Sequence, residues 1–168
     1  MAKKKEPWRV MFSVGADKKA AVDAVIVIDV NYEGKSVLLF PYPSAEDALK
    51  GKGRQAQNRA FLTYEGVRAV VDELGGVEIY GRYLSGSETV AYIRSCREKL
   101  QGEELVSRIK NLVSTIGHKA RAVDLEVLAG AAKRSLKYVS HDLSAFRMIA
   151  LMGEVNDIMG YRMSWGDL

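Results

Sequence analysis

Residues Val25–Phe40 read VIVIDVNYEGKSVLLF, and this stretch decides the fold. Val25–Val30 is short and β-branched, as strands are. Asn31–Lys35 (NYEGK) is a turn in which Gly34 tolerates unusual backbone angles. Ser36–Phe40 is a second strand, so the two make a hairpin. Neither strand alternates apolar with polar residues, and continuous apolar runs belong to strands covered on both faces. The hairpin therefore predicts a sheet sandwiched between layers, ended by Pro41 and Pro43.

The flanking segments extend that picture. Val10–Val14 reads as another buried strand. Before it stands a basic end, MAKKKEP over residues 1–7, with Lys3–Lys5 expected in solvent. The apolar run from Trp8 is broken by Arg9 and by ADKK after Gly15, so it does not read as a signal peptide. Ser44–Arg59 (SAEDALKGKGRQAQNR) is polar and basic, and reads as a loop with at most one helical turn. Phe61–Tyr64 reads as a short strand. Glu65–Leu74 spaces Val67, Val70, Val71 and Leu74 as a helix does, and Gly75-Gly76 closes it. Val77–Tyr80 (VEIY) reads as another strand. Ser85-Gly86-Ser87-Glu88 fits a capping box ahead of a helix to about Arg97. Glu103–Ile116 carries Leu105, Ile109, Leu112, Val113 and Ile116 on one face. A further helix is expected over 120–138. Ser144 caps a helix over 145–159, followed by Gly160 at C′ and a last strand over 161–165. The composite is one α/β (mixed α+β) domain over 8–168, a central mixed sheet with helices on both faces.

Composition limits the chemistry. The chain has 168 residues, 48% of them hydrophobic and 27% charged, as in an ordinary globular domain. Its single cysteine, Cys96, excludes an internal disulfide and zinc sites built on paired cysteines. Two histidines offer little to a metal. A net charge of +4 is a mild bias towards phosphates and anionic surfaces. Three constellations could carry function. Asp17 and Asp23 bracket a short connector between two strands, where two carboxylates can share a hard cation such as Mg²⁺. A solvated turn would read the same way. Arg94 and Arg97 near one helix end, with Arg108 on the next helix, can form a fork around a diphosphate. They can equally be cations placed favourably at a helix C-terminus. The loop from Lys50 to Arg59, with Lys52 and Arg54 beside glycines, can wrap a phosphate or a nucleic-acid backbone. Aromatics do not interleave with its cations, so no stacking platform is visible and nucleic acid is not the expected partner.

FLTYEGVRAVVDELGGVEI (Phe61–Ile79) and LSGSETVAYIRS (Leu84–Ser95) resemble the LytR-CpsA-Psr family, whose patterns run approximately "lVDalGGVeV" and "LdGeqALaYvRsR". WRVMFSVGAD, DAVIVIDVNYEGKSVLLFPYP and SHDLSAFRMIALMGEV fit the family in the same order, so the resemblance is collinear from about Trp8 to Trp165. It implies an apolar tunnel between sheet and helices that holds a polyprenyl chain. It implies Mg²⁺ on Asp17 and Asp23, and Arg94 and Arg108 on the pyrophosphate, with Arg97 as a substitute contact. Asp23 and Arg94 would be the catalytic pair. The implied activity is attachment of lipid-linked glycopolymers in the cell envelope. Extracytoplasmic, membrane-associated placement follows if the chain is an excised domain, and cytoplasmic placement otherwise. The departures are specific. Tyr42 and Pro43 stand where the family carries arginine and aspartate, and Cys96 replaces the second arginine of "RsR". Those losses favour a non-catalytic binding module, with Cys96 a packing residue and not a nucleophile.

Overall fold

The structure is a computed structural model that describes residues 5–17 and 22–166. Its central sheet has six strands. In chain order they are β1 (Trp8–Gly15), β2 (Ala24–Asn31), β3 (Ser36–Tyr42), β4 (Asn58–Thr63), β7 (Val139–His141) and β8 (Arg162–Trp165). Their spatial order is β7-β4-β1-β2-β3-β8. β1 and β4 run parallel, as do β3 and β8, and the other pairs are antiparallel. The hairpin read from the sequence is β2–β3, with Val27 opposite Phe40 and Val30 opposite Val37.

Burial on both faces explains its unbroken apolar run. Val25 and Val27 pack with Met11, Phe40 and Tyr42 on one face, beneath the short helix α1 (Ala45–Lys50). Ile26, Val30, Val37 and Leu39 pack on the other, against Leu105 and Ile109 of α4 (Gly102–Ala122). On that second face α2 (Tyr64–Glu73) and α3 (Gly86–Lys99) add Val67, Val71, Val90 and Ile93 to a core shared with Leu112 of α4. α5 (Leu125–Ser135) packs against α2. α6 (Ala145–Met159) is capped by Ser144, and Gly160 ends it as the C-cap residue, not at C′ and without a left-handed turn. Its outward face leaves Phe146, Ile149 and Met152 exposed.

Local chemistry sets the element ends. The Ser85–Glu88 capping box is present in both directions. Gly75 and Gly76, with φ of 83° and 87°, close α2 through bonds from Gly75 N to the Asp72 carbonyl and Gly76 N to the Val71 carbonyl. This pair of bonds needs a left-handed backbone that glycine adopts without penalty.

Three expectations are corrected. Val77–Ile79 (β5) is not in the main sheet. It pairs with Arg82–Leu84 (β6) as a separate hairpin, because a three-residue strand following a tight helix end reaches its nearest partner first. The helix expected over 120–138 breaks at Val123–Asp124, where Val123 turns to extended backbone. The loop expected over 44–59 is mostly ordered. α1 is capped by Ser44, and a 3-10 turn over Lys52–Gln55 buries Gly53 against the sheet. Lys5 is exposed, as expected, and its ammonium pairs with Glu154 Oε1 on α6 at 3.1 Å. Glu154 also accepts from Tyr32, and Arg147 donates to the Tyr32 hydroxyl, which together tie α6 to the β2–β3 turn.

Candidate functional site

Between the sheet and the helices of its second face lies an apolar cavity of about 470 Å³. Phe12, Val14 and Ile26 form its floor, and Val71, Ile93 and Ile109 its walls. Ile109, Leu112 and Val113, which the helical stripe together with the family resemblance led us to expect around such a cavity, line it.

Its lining includes a few polar groups, among them Asp23, Tyr92, Cys96 and Arg108. Asp23 sits just before β2, its backbone N–H bonded to the Val14 carbonyl at 2.8 Å. Asp17 lies just past the end of β1 and Asp23 just before β2, so both stand at the same end of the two central strands. The connector residues 18–21 lie outside the described residues. Burial raises the Asp23 pKa, and the charges of Arg97 and then Arg94 pull it back down. The arginines thus stand within electrostatic reach of the carboxylate, as their placement at the end of α3 requires.

Each arginine has a distinct position. Arg97 Nη1 donates to the Pro43 carbonyl at 2.5 Å, so the end of the β3 segment holds it. Arg94 is exposed, with its guanidinium 5.8 Å from the Tyr64 ring. Arg108 lies 4.7 Å over the ring of Tyr80, which occupies the β5–β6 turn. Tyr80 has φ of 49°, a left-handed conformation that non-glycine residues rarely adopt. The Tyr92 hydroxyl is buried without a well-formed hydrogen bond, with Cys96 and Arg108 as its polar neighbours. Burial and the Cys96 sulfur push its pKa up to about 12. At neutral pH Tyr92 is therefore a neutral hydroxyl facing a guanidinium.

Of the residues singled out in the sequence, Asp23 and Arg108 line the cavity, Arg94 and Arg97 stand near Asp23, and Asp17 follows β1. Tyr80 and Tyr92, which contact or face Arg108, were not singled out. Tyr92 could have been found from its i,i+4 relation to Cys96, which puts both on one face of α3. Tyr80 could not, because its contact with Arg108 joins two elements that are distant in sequence. Among the described residues no group of three or more His, Cys, Asp or Glu could hold a metal. Mg²⁺ on Asp17 and Asp23 would need phosphate oxygens and water to complete its shell.

The alternative basic segment is arranged otherwise. Lys50 pairs with Glu46 at 2.8 Å, and Lys52 lies 5.4 Å over Phe40 while its N–H donates to the Tyr42 hydroxyl. Lys50 is thus engaged locally, and Lys52 is exposed beside the Phe40 ring.

No protein-family model and no curated protein matches the sequence. Solved structures do match its fold. TagT bound to LIIa-WTA is 16% identical with a TM-score of 0.63, covering 98% of this chain and 79% of that one. B. subtilis TagV is 15% identical with a TM-score of 0.64, covering 99% and 87%. A protein from Enterococcus faecalis described as a transcriptional regulator is 15% identical with a TM-score of 0.62, covering 97% and 76%. No helix among the described residues is long and apolar enough to cross a membrane. TagT and TagV are LytR-CpsA-Psr proteins, and the fold of this chain is LytR-CpsA-Psr-like.

Proposed function

We propose that this chain binds a prenyl diphosphate, the lipid end of a membrane-linked glycopolymer, and holds it without turning it over. The observation that carries the reading is an apolar cavity whose lining includes Asp23 and Arg108, with Arg94 and Arg97 acting on the same carboxylate. An apolar chain gains about 0.8 kcal/mol per buried CH₂, which a cavity of this lining supplies. At ~30 Å³ per methylene- or water-sized group, about 470 Å³ takes on the order of fifteen carbons, or three isoprene units. The diphosphate would meet the three arginines, and Mg²⁺ on Asp23 and Asp17 would neutralise part of its charge.

Binding is favoured over turnover by what replaces the missing arginines. Tyr42 is buried, with its hydroxyl accepting from Lys52 N–H, and Cys96 is an uncharged cavity wall. Each lost charge-assisted contact is worth ~1.5–3 kcal/mol, and two such losses slow a transfer step by orders of magnitude. A lipid-linked donor would set the domain to work at the membrane surface of the cell envelope.

Calorimetry with farnesyl diphosphate and Mg²⁺ tests the reading. Wild type should bind, Asp23→Ala should lose the Mg²⁺ dependence, and Arg94→Ala should weaken binding by ~1.5–3 kcal/mol. Equal binding by all three proteins would refute the assignment. Release of the prenyl chain from a lipid-linked sugar would refute the absence of turnover.

A further inference from the structure

α6 is engaged on its inward side. Arg147 lies 4.4 Å over the Trp8 ring and donates to the Tyr32 hydroxyl. Glu154 accepts from Tyr32 and Lys5, and Ile158 packs on the core that Val30 and Val37 share with Leu105. The outward side is not covered by any of the described residues. Phe146, Ile149 and Met152 are 83%, 71% and 74% exposed there, and Val155 and Met159 are exposed as well.

We infer that this face is a homodimer interface, in which α6 packs parallel to α6 of a second copy of this chain. The spacing calls for a helix as occupant. Ala145, Ile149, Met152, Asn156 and Met159 are all exposed and recur at intervals of four, three, four and three. That is the narrow seam of a paired helix, two heptads long. The contact of α6 with its own core uses the opposite side, so the seam is additional to it. Charge argues against a membrane as occupant. A helix lying on anionic lipid carries Lys and Arg along its polar face, whereas Asp157 is the only charged residue exposed on α6. The exposed apolar side chains together offer on the order of 600 Å². That is the upper end of what a monomer leaves in one patch, and most of the ~800 Å² per partner found in a stable interface.

Asn156 sets the direction of pairing. Ile149 and Asn156 fall at a positions of the heptad, and Ala145, Met152 and Met159 at d positions. In a parallel pair each a residue faces its own copy. Amide then meets amide, and an amide both donates and accepts. In an antiparallel pair Asn156 would face a methionine or alanine and lose water without gaining a partner. A β-branched residue such as Ile149 at a also favours two strands. The positions beside the seam, Phe146 and Gly153 on one side and Met148 and Val155 on the other, are uncharged, so no like charges oppose a symmetric pair. At Gly153 a Cβ would meet nothing within 4 Å. Packing inside one copy therefore does not require a mid-helix glycine, which weakens a helix, while close approach of a second helix gives it a use.

Sedimentation equilibrium of the full chain tests the pairing. The protomer is 18.6 kDa, and wild type at high micromolar concentration should show twice that mass. Ile149→Lys and Ile149→Glu should each dimerise about tenfold or more weakly, because like charges then meet inside the seam. Mixed in equal amounts, the two variants should recover the dimer, since the parallel register sets Lys against Glu at the same position. Residue 149 is exposed in the single copy, so both variants should keep the circular dichroism of wild type. A monomeric wild type, or variants that dimerise as wild type does, overturns the inference. A mixture that stays monomeric overturns the parallel pairing. A monomeric wild type that sediments with phosphatidylglycerol vesicles also overturns it, and would assign the face to a membrane. The pairing does not rest on the function proposed above, and none of these measurements involves the prenyl ligand.

Discussion

Val113→Phe should make the unliganded protein more stable and the ligand-bound protein less so. Val113 is half-buried on α4 and lines the apolar cavity. A phenyl group there adds roughly 50 Å² of apolar surface, which at ~25 cal/mol/Å² is about 1.2 kcal/mol if the ring enters the void. For a domain of this size that is a rise in melting temperature of roughly 2–5 °C. The ring fills the volume that a prenyl chain would need. Wild type at 100 times the Kd of farnesyl diphosphate gains ~2.7 kcal/mol from binding, and the variant forfeits that gain. The order of stabilities should therefore reverse on adding ligand. Calorimetric melting with and without farnesyl diphosphate reads both halves. A variant that melts lower than wild type without ligand would show that the region is already packed, since overfilling costs ~1–3 kcal/mol. A variant that binds farnesyl diphosphate as well as wild type would show that the cavity is not where the chain goes.

Two further outcomes follow from the polar groups. The Asp23 pKa is raised in the fold by burial, which outweighs Arg97 and Arg94. Stability tied to its protonation is present below the ordinary value of 3.8 and is lost as pH rises through the folded value. Asp23→Asn should therefore melt above wild type at pH 7, with the difference vanishing below about pH 3.8; a variant less stable at pH 7 would contradict this. Tyr80→Asn exchanges a left-handed tyrosine for a residue that tolerates that conformation, a gain of ~1 kcal/mol, against a lost stack on Arg108 worth ~0.5–1 kcal/mol. The melting temperature should move by less than ~2 °C while affinity for farnesyl diphosphate falls several-fold, and unchanged affinity would show that Tyr80 does not position Arg108.

What the sequence determined by itself is local. The β2–β3 hairpin was legible because a short β-branched run with a turn residue admits few alternatives. The capping box at Ser85–Glu88 was legible because its two bonds span three residues. Ile109, Leu112 and Val113 were legible as one apolar helix face because of their spacing, while the order of the motifs along the chain, through the family resemblance, pointed to the fold and to a cavity under that face. The tertiary structure decided whatever depends on contacts between distant segments. Val77–Ile79 pairs with Arg82–Leu84 and not with the main sheet, because strand pairing is a competition among partners that no single strand encodes. The segment around Lys50 folds into helix and turn because Gly53 and Ala48 find a buried place against Met11 and Tyr42. Arg108 meets Tyr80 and Tyr92, and Arg97 meets Pro43, only when hairpin, helices and sheet edge are assembled. A charged side chain reads the same in sequence whether it faces water or a cavity mouth. The energy that separates those cases comes from burial and from neighbours supplied by other elements.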